Sequence, residues 1–218
     1  MTDFTLNEVE VRVLGALLEK GMATPEYYPL SLNGLTNACN QKSNRNPVVD
    51  FDEVTVVRGI DGLREKQLVV LSEAARVPKY AECFGANAKL VDREAALICL
   101  LLLRGPQTVG ELRGRSDRLY SFADLTEVNE TLENLADMDM VRKLPRQPGR
   151  KESRYTHLLA GKPDDTLVEL AEVVAEKATL QVRAENERIA ALEQGISALK
   201  QEVEELNRAF QDFKAQFD

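Results

Sequence analysis

Seven consecutive polar residues, Asn40, Gln41, Lys42, Ser43, Asn44, Arg45 and Asn46, contain no acid. Their amides and hydroxyl can bond phosphate oxygens or base edges, and Lys42 and Arg45 add positive charge. The run leads toward a helix start, where backbone N–H groups also favour anions. Arg58 is expected on the solvent face of that helix. A second basic cluster, Arg142, Lys143, Arg146, Arg150, Lys151 and Arg154, surrounds Pro145 and Pro148-Gly149. The turn from Arg113 to Arg118 adds further cations. All of these groups suit a phosphate backbone. Their bland alternative is a well-bonded connector and a solvated hairpin tip.

Nothing else in the chain assembles a reactive site. His157 is the only histidine, and it shares a strand face with Tyr155 and Leu159, which predicts a structural role. Cys39, Cys83 and Cys99 are odd in number and widely spaced, so neither a disulfide framework nor a zinc site is expected. Gly-rich phosphate loops and nucleophile elbows are absent from the sequence. The expectation is a protein that is not an enzyme and takes no cofactor or metal.

The elements that would hold the polar run form a recognisable order. Thr5 and Glu8 make a capping-box signal, and Val9, Val13, Leu14, Leu17 and Leu18 follow at helical spacing, with Gly21 as a stop. Ser31 is an N-cap for a helix through about Asn40. Asp50 and Glu53 frame a third helix with Val57, Ile60 and Leu63 on one face. Leu68 to Leu71 and Lys79 to Phe84 read as strands, joined by a basic turn at Arg76 to Lys79. Helix, loop, helix and hairpin in this order predict a winged helix.

The same order returns. Glu10 to Gly21 (EVRVLGALLEKG) resembles Glu94 to Gly105 (EAALICLLLLRG) at an offset of 84. Ser31, Leu32 and Leu35 correspond to Thr108, Val109 and Leu112, where Thr108 and Glu111 form another capping box. Ile60, Leu63, Leu68 and Val69 correspond to Leu132, Leu135, Met140 and Val141 at 72, and Pro78 to Phe84 matches Ser153 to Leu159 at 75. Drifting offsets mean loop insertions and deletions, which cost little. Two copies of one unit are predicted, at 1–88 and 89–161, giving a mainly α fold with small β-hairpins (α+β).

Composition bounds the function. The 218 residues carry a net charge of −8, but bases and acids number 10 and 12 over 1–90, 11 and 11 over 91–160, and 7 and 13 over 161–218. The acidity is concentrated in the tail, so nucleic acid would have to bind at a local patch. Acids at 50, 52, 53 and 61, and at 124, 127, 130, 133 and 137, oppose a duplex at either third helix. The longest apolar run, Ala95 to Leu103, is far short of a membrane span. The start is acidic without an apolar signal core, so a cytoplasmic protein is expected.

Residues 162–218 read as an acidic helical tail. Ile189, Leu192, Ile196, Leu199, Val203, Leu206, Phe210, Phe213 and Phe217 alternate spacings of 3 and 4. That predicts a left-handed coiled coil within about 182–217, about 43 Å long at 1.5 Å per residue. It would join two copies into a homodimer, or fold back on Leu167, Leu170 and Val174.

Three long segments carry a family resemblance: TPEYYPLSLNGLTNACNQKSNRNPV, LLLRGPQTVGELRGRSDRLYSFADLTEV and VRKLPRQPGRKESRYTHLL. Over about residues 5 to 160 the chain resembles the bacterial YceH family of uncharacterised proteins. The resemblance implies tandem winged helices, often with a C-terminal coiled coil, and no known activity. Asn46 stands where that family usually has an acid. The preferred expectation is a dimeric transcriptional regulator that binds double-stranded DNA through the first loop and helix and the basic wings. The alternative is a protein-binding module resembling segregation and condensation protein B.

Overall fold

The computed structural model describes residues 4–72, 77–146 and 152–161. Arg150, Lys151, the turn at Arg76 and the predicted coiled coil from Ile189 to Phe217 lie outside the described residues. Within them, seven α-helices and two small antiparallel sheets follow in the order α1 (Glu8–Ala23), β1 (Leu30–Ser31), α2 (Leu32–Cys39), α3 (Glu53–Glu65), β2 (Val69–Ser72), β3 (Lys79–Glu82), α4 (Phe84–Asn87), α5 (Asp92–Arg104), α6 (Val109–Ser116), α7 (Leu125–Asp137), β4 (Val141–Lys143) and β5 (Tyr155–His157). The first sheet runs β1-β3-β2 and the second pairs β4 with β5. The fold class is α+β.

Local chemistry accounts for the helix starts. Ser31 caps α2 by accepting from Gly34 N–H, and Thr108 and Glu111 form the expected box on α6. Asp52, rather than Asp50, caps α3, accepting from Thr55 N–H at 2.8 Å. The first capping box also falls later than expected. Asn7 and Glu10 form it, not Thr5 and Glu8. The cause is long-range: Leu6 is buried and donates its N–H to the Leu159 carbonyl, which keeps the chain extended until Asn7. At its other end α1 passes Gly21 and stops at Thr24.

Corresponding positions of the two segments make several matching local bonds, within one compact unit that spans residues 1–162. The third helix of each copy ends where a left-handed residue, Gln67 (φ 57°) or Asp139 (φ 53°), turns the chain into a strand. The next amides bond back alike, Leu68 N–H to Leu63 O and Met140 N–H to Leu135 O. Leu30 pairs with Tyr80 in the first sheet, and Gln107 pairs with Tyr155 as a single bridge in the second. β3 stops at Glu82, short of the expected Phe84, because Phe84 turns inward to open α4 and is 1% exposed.

The two repeat-related central helices pack on each other. Ala96 to Leu103 on α5 are all buried, and so are Val13 to Leu18 on α1; stretches apolar on every side belong in a core. Gly15 marks their closest approach. A Cβ there would lie 2.9 Å from Leu103 Cδ2 and 3.1 Å from Leu102 Cβ. The thiol of Cys99, the counterpart of Gly15 at the offset of 84, donates to the Gly15 carbonyl at 3.6 Å. Buried residues of both copies form one contiguous cluster. Gly15→Val should therefore destabilise the fold by about 1–3 kcal/mol through overpacking. The check is a lower urea midpoint at unchanged m-value; an unchanged midpoint means the helices do not meet this closely.

Candidate functional site

The polar run occupies the connection between α2 and α3, and its side chains divide into two groups. Asn40 is committed to the loop itself: its amide donates to Phe51 O at 2.7 Å and its oxygen accepts from Phe51 N–H at 2.8 Å. Asn46 donates its backbone N–H to Leu103 O at the end of α5. Arg45, expected at phosphate, points inward instead. Its guanidinium is 0% exposed, makes a two-pronged pair with Glu19 at 2.7 and 3.0 Å, and donates to the Ala38 carbonyl. Gln41 accepts from the same guanidinium at 3.1 Å. The inward turn has a reason: the α2 terminus leaves the Ala38 carbonyl without a helical partner, and the mostly buried Glu19 carboxylate requires a counter-charge.

Lys42, Ser43 and Asn44 form the outward group, and all three are exposed. Asn44 sits in the left-handed region (φ 62°) and accepts from the guanidinium of Arg104 on the other copy. Together they rim an open cleft of about 520 Å³ between the copies. The end of α1 contributes Glu19 and Lys20, and the end of α5 contributes Leu100, Leu103 and Arg104. The end of α6 and the turn beyond it add Arg115, Arg118 and Leu119. Among the described lining residues five cations thus face one carboxylate, Glu19, which is paired with Arg45 and lies 3.5 Å from Lys20. Burial alone would raise the Glu19 pKa, but the hydrogen bonds and charge of Arg45, with Lys20, carry it below the usual range.

The arginines are held in place. Arg115 donates to the Gln107 side-chain oxygen at 2.8 Å, and Gln107 is itself 1% exposed, fixed by a bond from its amide to Leu100 O. Glu111 lies 3.5 Å from Arg115 and 3.4 Å from Arg154, so one carboxylate links the cleft wall to the foot of the second hairpin. Burial first, then the charge of Arg115, lowers the Arg104 pKa; a guanidinium stays cationic at neutral pH even so.

The other expected site residues are dispersed. Arg58 is exposed on α3 and outside the cleft lining. Arg146 is exposed just after β4, while Arg154 donates inward to Pro106 O at 2.8 Å. Reading residue types in sequence missed Lys20 and Arg104. The repeat contained the signal, because the two are counterparts at the offset of 84 and the structure brings both to one cleft. His157 is partly buried on β5, and its Nδ1 has no partner. Among the described residues no cluster of His, Cys, Asp or Glu could hold a metal, and no helix is long and apolar enough to cross a membrane.

Two expectations test this description. Arg45→Ala should cost about 3–5 kcal/mol, the usual penalty for stranding a buried carboxylate, measured by urea unfolding at pH 7. A surface phosphate ligand would instead lose little stability. Burial lowers the His157 pKa to about 4, below the ordinary imidazole value of 6.5. The unfolded chain therefore binds the extra proton first, and stability present above pH 6.5 is lost as pH falls toward 4. The lone imidazole resonance should titrate well below pH 6, and His157→Asn should flatten the pH dependence of the unfolding midpoint in that window. A midpoint near 6.5 means the ring is solvated.

A family model described as a protein of unknown function, DUF480, matches residues 6–150. The chain is similar to the UPF0502 protein of Geotalea uraniireducens (strain Rf4), 54% identical over 216 residues and 98% of each chain. It is similar also to the UPF0502 protein of Geobacter sulfurreducens, 52% identical over 99% of this chain and 100% of that one. The UPF0502 protein of Solibacter usitatus (strain Ellin6076) is 50% identical with the same shares covered. At these identities over nearly the whole of each chain, and with the family model matching residues 6–150, the chain belongs to the DUF480 (UPF0502) family of uncharacterised bacterial proteins.

Proposed function

We propose that the protein is a cytoplasmic, non-enzymatic DNA-binding regulator built of tandem winged helices, as the YceH resemblance also implies, and dimerised by its tail. The observation that carries this reading is the first copy's order, α1-β1-α2-α3-β2-β3 with strands arranged β1-β3-β2, in which exposed Arg58 and Lys42 stand on α3 and the loop before it. In this order a third helix meets a duplex and the hairpin contacts its backbone. Arg146, with Arg150 and Lys151 beyond the described residues, would add phosphate contacts from the second wing.

A salt titration with random duplex DNA tests it. Each lost phosphate contact lowers the log–log slope by about 0.9, so Lys42→Ala with Arg58→Ala should reduce the slope by nearly two and weaken binding at every sequence. Unchanged affinity and slope in the double variant would falsify the assignment to this loop and helix.

A protein-binding module is the second reading, favoured by α7. Its solvent face carries Glu130, Glu133 and Asp137 and no base, a surface that repels a duplex and suits a basic partner chain. A partner retained after nuclease treatment, and released by Glu130→Lys with Glu133→Lys, would decide for it.

A further inference from the structure

We infer that the cleft between the two copies binds an organic phosphate, a small molecule with one or more phosphate groups on an apolar body. This site shares only Lys42 with the surface proposed for DNA; Arg58 and Arg146 lie outside its lining. A duplex is met by convex helices and wings, whereas a concave space of about 520 Å³ matches small-ligand pockets, about 300–1,000 Å³.

Charge and shape both point to this ligand class. Arg115 is anchored from behind by buried Gln107, and Arg104 is steered by Asn44. The Nε of Arg104 is buried and has no partner, and among the described residues Lys42 and Arg118 have no bonded partner at all. Guanidiniums and ammonium groups converging on one space are the groups that bind phosphate oxygens.

The alternative explanation for these cations is capping. Three helices end at the cleft, and basic residues offset helix C-terminal dipoles. Four carbonyls at the end of α5 are already bonded, however: Leu100 O by Gln107, Leu101 O by Gly105, Leu103 O by the Asn46 backbone and Arg104 O by the Asn46 side chain. Arg104 is thus not needed there. The apolar part of the lining is half-buried Leu119 with the edges of the buried Leu100 and Leu103; it has no use for phosphate and would receive the ligand's body.

Calorimetric titration of the full chain with ADP and with inorganic pyrophosphate tests the site. ADP should bind saturably and more tightly than pyrophosphate. Arg115→Gln and Arg118→Gln should each weaken ADP about tenfold, the scale of one charge-assisted hydrogen bond of about 1.4 kcal/mol. Arg118 is exposed and makes no internal bond, so its variant folds even if Arg115→Gln does not. No saturable heat with either probe at millimolar concentration overturns the site. Equal affinity for both probes overturns the role of the leucines, and undiminished binding by Arg118→Gln overturns the role of the cations. ADP binding lost with duplex binding intact removes this site alone. The reverse result leaves it standing and removes the DNA reading.

Discussion

The close crossing of α1 and α5 is the constraint on which the described structure depends. The middle of each helix, Val13–Leu18 and Ala96–Leu103, is apolar and buried on every side, so each needs the other's cover. Gly15 lets them approach until Leu102 and Leu103 fill the space a side chain would occupy. Because the two helices are repeat-related, their packing also brings related parts of the copies together. Lys20 and Arg104 line one cleft, together with the segments after α2 and α6. The cleft is a geometric consequence of burying two matching helices on each other.

Arg45 connects that packing to electrostatics. Its guanidinium lies beneath the loop, bonded to Ala38 O and Glu19, and so ties α1, α2 and the loop together. It also neutralises the only carboxylate among the described residues of the cleft lining, which leaves the opening cationic. Asn46, the next residue, bonds the end of α5. The loop that looks from its composition like a ligand-binding tip is therefore half fastener and half rim. Lys42, Ser43 and Asn44 face out, while Asn40 and Arg45 hold the loop shut.

Much of this was legible from residue types. Ser31 and Thr108 announced their helices because an N-cap bond spans only three residues. The paired sets Ile60, Leu63, Leu68, Val69 and Leu132, Leu135, Met140, Val141 are all buried as the repeat predicts. Local reading failed where distant chain intervened. Leu159 O holds Leu6 extended and moves the first cap to Asn7. Phe84 leaves its strand early because the core claims its ring. Lys20 and Arg104, 84 residues apart, gave no sign of sharing a cleft when each was read in its own helix.

The sequence by itself determined the local and periodic features: helix caps, the duplicated order of elements, the apolar central helices and the membership of an uncharacterised family. These depend on neighbours within a few residues or on comparison of one segment with another. Only the tertiary structure decided which polar groups stay available. An arginine's partner is set by whichever carboxylate or carbonyl folding brings within about 3 Å. For Arg45 that partner is Glu19, 26 residues earlier in the chain, and it turned the most basic side chain of the loop from a surface contact into part of the interior.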